Sequence, residues 1–198
     1  MGYYIRVLGT SSDHISVEAI QLAAKPAIVR VEKTVGDDWC VLTLTHDSGE
    51  EIAIIERNPV VEGELGFDEI QEFQEEILGC RPESGSRWLR EYLPKVMVIY
   101  AFQLLDGTDV QDGWSMLGRV TDSIRNAAGG IIQADGEGFS NEAGATILWQ
   151  FSDSVTGEWT VGVLSPSQEW KHYRMDLGNP THREAFYSGE VPEGVEVY

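Results

Sequence analysis

The chain has 198 residues, with 33 acidic and 14 basic side chains and a formal net charge of −19. Hydrophobic residues make up 42% of it, which is ordinary for a folded protein and excludes a disordered acidic tail. The acidity is spread evenly, because residues 1–95 carry 18 acids and 9 bases and residues 96–198 carry 15 and 5. Such a charge repels nucleic acid and anionic membranes, which proteins bind mostly through lysine and arginine. We therefore expect neither as a partner.

Two further features bear on where the protein works. No stretch approaches the roughly 18 apolar residues that cross a bilayer, and no basic segment precedes a long apolar run at the start, as in a signal peptide. The cysteines, Cys40 and Cys80, lie far apart without a CxxC spacing. One disulfide is the alternative, but two such cysteines in a cytosolic chain are usually free and buried. We expect a cytoplasmic protein with free thiols.

The first residues predict a strand, a helix and three further strands. Residues 3–8 are β-branched and aromatic, and a Gly-Thr pair ends them. Ser16 is placed to cap a helix over residues 17–24, which Lys25-Pro26 ends. Strand-like runs cover residues 27–34, 39–46 and 51–57, and the turns between them are rich in glycine and aspartate. This order predicts an antiparallel meander.

Two helices are predicted next. The first covers residues 67–78, where apolar residues recur at spacings of three, three and four and acids fill most other positions: Phe67, Ile70, Phe73 and Ile77. The second covers residues 86–93 and ends at Pro94. Its inward side chains are expected to be Trp88, Leu89 and Tyr92.

The second half begins with an apolar run over residues 96–102, which is typical of a central strand. A helix over residues 110–126 follows, and the glycines at 129–130 end it. Strands 131–134 and 146–151 are predicted to pair around an acidic turn, and strands 158–164 and 169–175 form a hairpin. A short helix over 182–187 precedes an acidic tail. The apolar face of the long helix comprises Val110, Trp114, Leu117, Val120 and Ile124.

These elements predict an α+β fold, with one or more mainly antiparallel sheets and helices packed on one face. Each half begins with a strand, continues with a helix and returns through antiparallel strands. Residues 3–57 and 96–175 are therefore candidates for two copies of one unit. We expect one compact domain over residues 1–198, with two packed halves, 1–95 and 96–198, as the alternative.

The sequence contains no catalytic signature. A Gly-x-Ser-x-Gly elbow, a P-loop, a His-Glu-x-x-His motif and a Rossmann fingerprint are all absent. His46-Asp47-Ser48 contains the residue types of a hydrolase relay, but neighbours in one turn cannot form its geometry. These absences favour a non-enzymatic protein and predict no cofactor. The histidines are scattered without the spacing of a zinc site: His14, His46, His172 and His182.

An acid-rich stretch runs from Glu50 to Glu76, with Arg57 as its one base. On the helix over 67–78 these acids would form an outer carboxylate face, which costs stability through like-charge neighbours. Such a face is commonly only solvated. The functional interpretation is a docking surface for a basic protein, whose binding relieves the repulsion and is accelerated by the acidic field. The predicted partner-binding residues are Glu62, Glu64, Asp68, Glu69, Glu72 and Glu76.

A second hypothesis is an enzyme or a small-ligand or metal-binding protein. Asp135 and Glu137 alternate along the chain, so their carboxylates share a face if the backbone is extended. Two close carboxylates could hold a divalent cation or perform acid–base chemistry, with His172 as a further group in a pocket between the halves. A hairpin turn with solvated acids is the plain alternative. Association into a homodimer is a further alternative.

Residues 98–149 combine a buried strand, an amphipathic helix, Gly129-Gly130-Ile131-Ile132, an acidic turn and another strand. This arrangement resembles the helix, double glycine and strand of several bacterial immunity proteins, the cytoplasmic antidotes of toxins. The resemblance implies an acidic α+β protein that binds a toxin domain. It covers about a quarter of the chain, consists of packing and turn residues, and assigns no functional residue.

Overall fold

A computed structural model describes residues 2–198, which form five α-helices and ten strands. Most of the strand pairs are antiparallel, and Thr146 and Val161 form a parallel contact. The predicted α+β class with mainly antiparallel pairing is confirmed. No helix of the described residues has the length and apolar character needed to cross a membrane.

The chain divides into two compact units, each assembled from two stretches. Within the described chain, the first unit comprises residues 2–69 and 96–130, and the second comprises residues 70–95 and 131–198. These stretches differ from the halves 1–95 and 96–198 that the order of elements suggests.

The first unit contains five strands, in the spatial order β1-β5-β4-β3-β2. They are β1 (Tyr4–Gly9), β2 (Ile28–Val35), β3 (Asp38–Thr45), β4 (Glu51–Pro59) and β5 (Val98–Leu104). The unit also contains α1 (Val17–Ala24), α4 (Gly113–Ala128) and the beginning of α2 (Leu65–Glu76). Because β5 pairs with β1 on one side and with β4 on the other, an interior strand of this unit comes from the second half of the sequence.

Helices α1 and α4 pack against each other and against strands of the first unit. Ser16 caps α1 as predicted, since its side chain accepts a hydrogen bond from the amide of Ala19. Gly9 of β1 faces α4, because a Cβ there would lie 2.7 Å from that of Ala128. Arg6, three residues before Gly9 and so on the other face of β1, forms an ion pair with Glu69 of α2.

The second unit contains the rest of α2 together with α3 (Glu83–Tyr92) and α5 (Pro180–Tyr187). Its strands are β6 (Gly130–Ala134), β7 (Gly138–Ser140), β8 (Thr146–Trp149), β9 (Glu158–Leu164) and β10 (Trp170–Asp176). The predicted hairpin of β9 and β10 is present, with Trp170 opposite Leu164. Aromatic side chains dominate a core cluster of this unit: Trp149, Phe151, Tyr173 and Phe186.

The predicted direct pairing of strands 131–134 and 146–151 is wrong, because β7 lies between β6 and β8. β7 has only three residues, which are too few to show the alternation of apolar and polar residues that predicts a strand. Gly138, the first of them, has φ of 110°, and a Cβ there would lie 2.2 Å from the carbonyl oxygen of Leu148. This glycine therefore belongs to the strand and permits its close approach to β8.

Both long helices have a buried glycine in the first turn, which shifts their inward faces from the predicted ones. In α4, Gly113 is buried and Trp114, which was expected to face inward, is 53% exposed. A Cβ at Gly113 would lie 2.2 Å from the carbonyl oxygen of Gly107. In α2, Gly66 is buried and Phe67 is half-buried. In each helix, the glycine packs against backbone atoms next to the position where an aromatic side chain was predicted to face inward.

We expect Gly66→Ala to destabilise the protein, because the new Cβ would lie 2.6 Å from the carbonyl oxygen of Pro59 and 2.9 Å from that of Asn58. These are backbone atoms, so α2 must shift, and such overpacking costs about 1–3 kcal/mol. Gly118→Ala is the matched control, because nothing lies within 4 Å of its Cβ and alanine favours a helix by up to about 1 kcal/mol. Urea unfolding measures both variants. Equal stability of the two would contradict the contact at Gly66.

Candidate functional site

The acid-rich surface lies on α2 and on the loop before it. Helical bonding begins at Glu64, whose carbonyl accepts the amide of Phe67 at 3.0 Å. The buried face of α2 consists of Gly66, Ile70, Phe73 and, just beyond the helix, Ile77. Five exposed acids outside this face, which we name the acidic stripe, are Glu62, Glu64, Asp68, Glu72 and Glu75.

The side chains of the acidic stripe form no ion pair and no hydrogen bond with any other described residue. Asp68 and Glu72 are four residues apart, as are Glu72 and Glu76, so like charges are neighbours along the helix. Each such pair costs about 0.2–0.5 kcal/mol. The last turn of α2 also contains no basic residue to offset the negative end of the helix dipole. A bound cation would relieve both kinds of repulsion.

The structure separates two of the predicted contact residues from the stripe. Glu69 lies nearer the buried face of α2, with its side chain 16% exposed, and its carboxylate pairs with Arg6. Glu76 accepts a hydrogen bond from Nε2 of Gln150 at 2.9 Å. Glu69 therefore anchors the helix, and Glu76 is partly engaged within the second unit. The sequence pattern could not distinguish them, because their partners are distant along the chain.

Exposed apolar side chains accompany the stripe, although no pattern in the sequence predicted them. Leu65 is 63% exposed and lies on the same side of α2 as Asp68 and Glu72, three and seven residues further on. Val61, in the preceding loop, is 58% exposed. Protein interfaces combine apolar anchors with a charged rim in this way. Val61 and Glu64 also line a cleft of about 520 Å³ in the first unit.

The predicted metal pair, Asp135 and Glu137, lies in the turn between β6 and β7. Both residues are half-buried and flank Gly136, and the amide of Glu137 donates to the carbonyl of Ala134 at 3.1 Å. Nowhere in residues 2–198 do three or more His, Cys, Asp or Glu side chains group so as to hold a metal ion. The pair thus has no third ligand of these types, and the metal hypothesis stays a prediction.

His172, the third residue of that hypothesis, has a different partner. Its Nε2 lies 2.9 Å from Nδ2 of Asn141, whose Oδ1 accepts the amides of Ala143 and Ala145, each at 3.1 Å. Because Oδ1 holds two amides, Nδ2 must donate and Nε2 must accept. His172 is therefore neutral here, and burial lowers its pKa.

The histidine and serine of the turn after β3 do not form a relay. Oδ1 of Asp47, at 2.9 Å, and the hydroxyl of Ser48 both face Nδ1 of His46. The other ring nitrogen lies 3.1 Å from the carbonyl oxygen of Gln111. A catalytic relay needs the acid and the hydroxyl at opposite nitrogens. This geometry agrees with the expectation from the sequence that the three neighbouring residues cannot form a catalytic relay.

Both cysteines are free thiols, as predicted, and both are half-buried. Burial, and to a smaller degree the charge of Glu76, raises the pKa of Cys80. A raised pKa disfavours the thiolate, which is the reactive form. Cys80 is therefore suited to packing rather than to nucleophilic chemistry.

No family model, curated protein or solved structure matches this chain. The resemblance to immunity proteins therefore stays a prediction.

We expect His172 to make the protein less stable as the pH falls. Its pKa is lower in the folded protein than the usual value near 6.5, so the unfolded chain binds the proton more readily. The stabilisation is complete above about pH 6.5 and is lost as the pH falls towards the folded pKa. Urea unfolding at about pH 7.5 and 5.5 measures the loss. His172→Gln should reduce it, and an unchanged pH dependence in that variant would contradict the account.

Proposed function

We propose that this protein binds a basic protein partner through the acidic stripe and the apolar side chains of Val61 and Leu65. The observation that carries the proposal is the combination of unpaired, exposed carboxylates with exposed apolar residues on α2 and on the loop before it. Single exposed apolar residues are common on protein surfaces, so the proposal depends on their position beside the unpaired carboxylates. Lysine or arginine residues of the partner would pair with the carboxylates, and Leu65 would become buried.

The negative charge and the apolar side chains contribute to this association in different ways. The net charge of −19 attracts a basic partner from a distance and raises the association rate. Contact then removes the repulsion between Asp68 and Glu72 and shields Leu65 from water. Burying most of a leucine side chain contributes on the order of 1 kcal/mol. The acids thus supply orientation and rate, and the apolar residues supply part of the affinity.

An immunity-type role is the form of this function that the resemblance implies. The basic partner would then be a toxin domain, and the acidic stripe would be the surface that contacts it. A binding role also agrees with the absence of catalytic signatures from the sequence.

Two triple variants of equal charge test the proposal. The first replaces Glu62, Glu64 and Glu72 of the stripe by lysine. The second replaces three exposed acids outside α2 by lysine: Asp109, Glu158 and Glu193. Proteins captured from a lysate at low salt by the wild-type chain are identified by mass spectrometry, purified and titrated against all three proteins at several salt concentrations.

We expect the stripe variant to bind the purified partner at least about tenfold more weakly than the wild type. Three exposed ion pairs at about 0.5 kcal/mol each give this loss. The control variant has the same net charge, so it should retain most of the affinity and the salt dependence. Equal weakening of both variants would show that only the overall charge matters. Unchanged binding and salt dependence in the stripe variant would contradict the proposal directly.

We expect the single substitution Glu72→Lys to separate binding from stability. Lysine at this position lies four residues from both Asp68 and Glu76, so two like-charge pairs become opposite-charge pairs. The free energy of unfolding should rise by about 0.5–1.5 kcal/mol, while affinity for the partner falls. Thermal unfolding and titration of one sample measure both. A variant that is less stable than the wild type would contradict the account of α2.

A further inference from the structure

β2 is the outermost strand of the first unit, and among the described strands only β3 pairs with it. Seven of its eight residues are exposed, and none is buried. Its large exposed apolar side chains are Ile28, Val31 and Val35. An edge strand of this length presents backbone N–H and C=O groups to which another strand can add. β2 is therefore a candidate surface for strand pairing.

The side chain of Gln21 covers the first part of this edge. Its Nε2 donates to the carbonyl oxygen of Ala27 at 2.8 Å, and its Oε1 accepts the amide of Val29 at 2.9 Å. Because the amide of Val29 points away from β3 and successive residues alternate, the amide and carbonyl of Val31 point away from β3 as well. No hydrogen bond from residues 2–198 outside the sheet reaches Val31. The open part of the edge therefore begins beyond Gln21.

Charged side chains restrict which strand can pair with this edge. Arg30, Glu32 and Lys33 form no ion pair and no side-chain hydrogen bond with another described residue. The pairing with β3 is irregular at Glu32 and Lys33, although the same register holds on both sides of them. Such features prevent indiscriminate pairing at sheet edges. A strand that adds to β2 has to present complementary charges.

A second copy of β2 presents these charges in one antiparallel register. With Val31 opposite Val31 of the other copy, Arg30 lies opposite Glu32 at two symmetry-related positions. The neighbouring registers place Arg30 opposite Arg30 or Lys33, place Glu32 opposite Glu32, or leave the charges opposite apolar residues. Opposite charges on facing strands stabilise a sheet and like charges destabilise it. We propose that two copies of this chain form a symmetric dimer through β2, centred on Val31.

The net charge of −19 opposes this association at a distance, whereas β2 itself carries two bases and one acid. At about 0.15 M salt, exposed charges more than about 8 Å apart are largely screened. The dimer does not involve the acidic stripe, because none of the stripe residues lies on β2. Either proposal can therefore fail while the other holds.

Sedimentation equilibrium of the full chain at about 0.15 M salt, over about 1 µM to 1 mM protein, should show a reversible equilibrium of monomer and dimer. Val31→Pro should weaken the dimer at least about tenfold, because proline removes the two central N–H donors. That amide does not bond β3, so the dilute variant should unfold at nearly the wild-type temperature. A monomer at every concentration, or a dimer that proline leaves unchanged, would overturn the proposal.

Charge exchange tests the register. Arg30→Glu and Glu32→Arg should each weaken the dimer several-fold, because each places like charges opposite one another. The double variant should restore the wild-type affinity, since the opposite-charge pairs return. The single variants change the net charge in opposite directions, so an effect of overall charge alone would shift the affinity in opposite directions. Such opposite shifts, or a double variant as weak as the single ones, would overturn the proposed dimer.

Discussion

The close approach of α2 to the backbone of β4 positions the surface that we propose for partner binding. At Gly66 the helix lies so near the carbonyl of Pro59 that no side-chain carbon fits between them. The ion pair of Glu69 with Arg6 adds a second, partly buried attachment, where a lone charge would be costly. These contacts fix the rotation of the helix about its axis. Asp68 points to solvent because the backbone of α2 is held in this way, and not because of any contact of its own.

The two proposed surfaces use charge in different ways. On α2, hydrated carboxylates act as a group, and their mutual repulsion is a cost that a basic partner removes. On β2, single charges of both signs decide which register two strands can adopt, and backbone hydrogen bonds supply the contact. The first surface depends on many weak contacts and therefore on salt. The second depends on the open edge beyond Gln21, and its partner has to match the positions of Arg30 and Glu32.

The sequence predicted the elements well and their contacts less well. Strong periodicity identified the two long helices, and Ser16 correctly marked the start of α1. The errors occur where one segment of backbone lies against another. The spacing of apolar residues does not mark Gly113 or Gly138, although both lie in close contact with backbone carbonyl groups. Five of the six predicted contact acids are exposed, and four of these five form no ion pair or hydrogen bond with another described residue. The engagement of Glu69 could not be foreseen, because its partner Arg6 is 63 residues away along the chain.

Mass spectrometry of carboxylate labelling tests the central claim most directly. The protein is treated with a carbodiimide and a small amine, alone and in complex with the purified partner, and the modification of each acid is compared. We predict strong protection of the acidic stripe in the complex, most clearly at Asp68 and Glu72, and unchanged labelling at Asp109 and Glu158. Equal labelling of the stripe in the free and bound protein would contradict the account, because the partner would then be bound elsewhere.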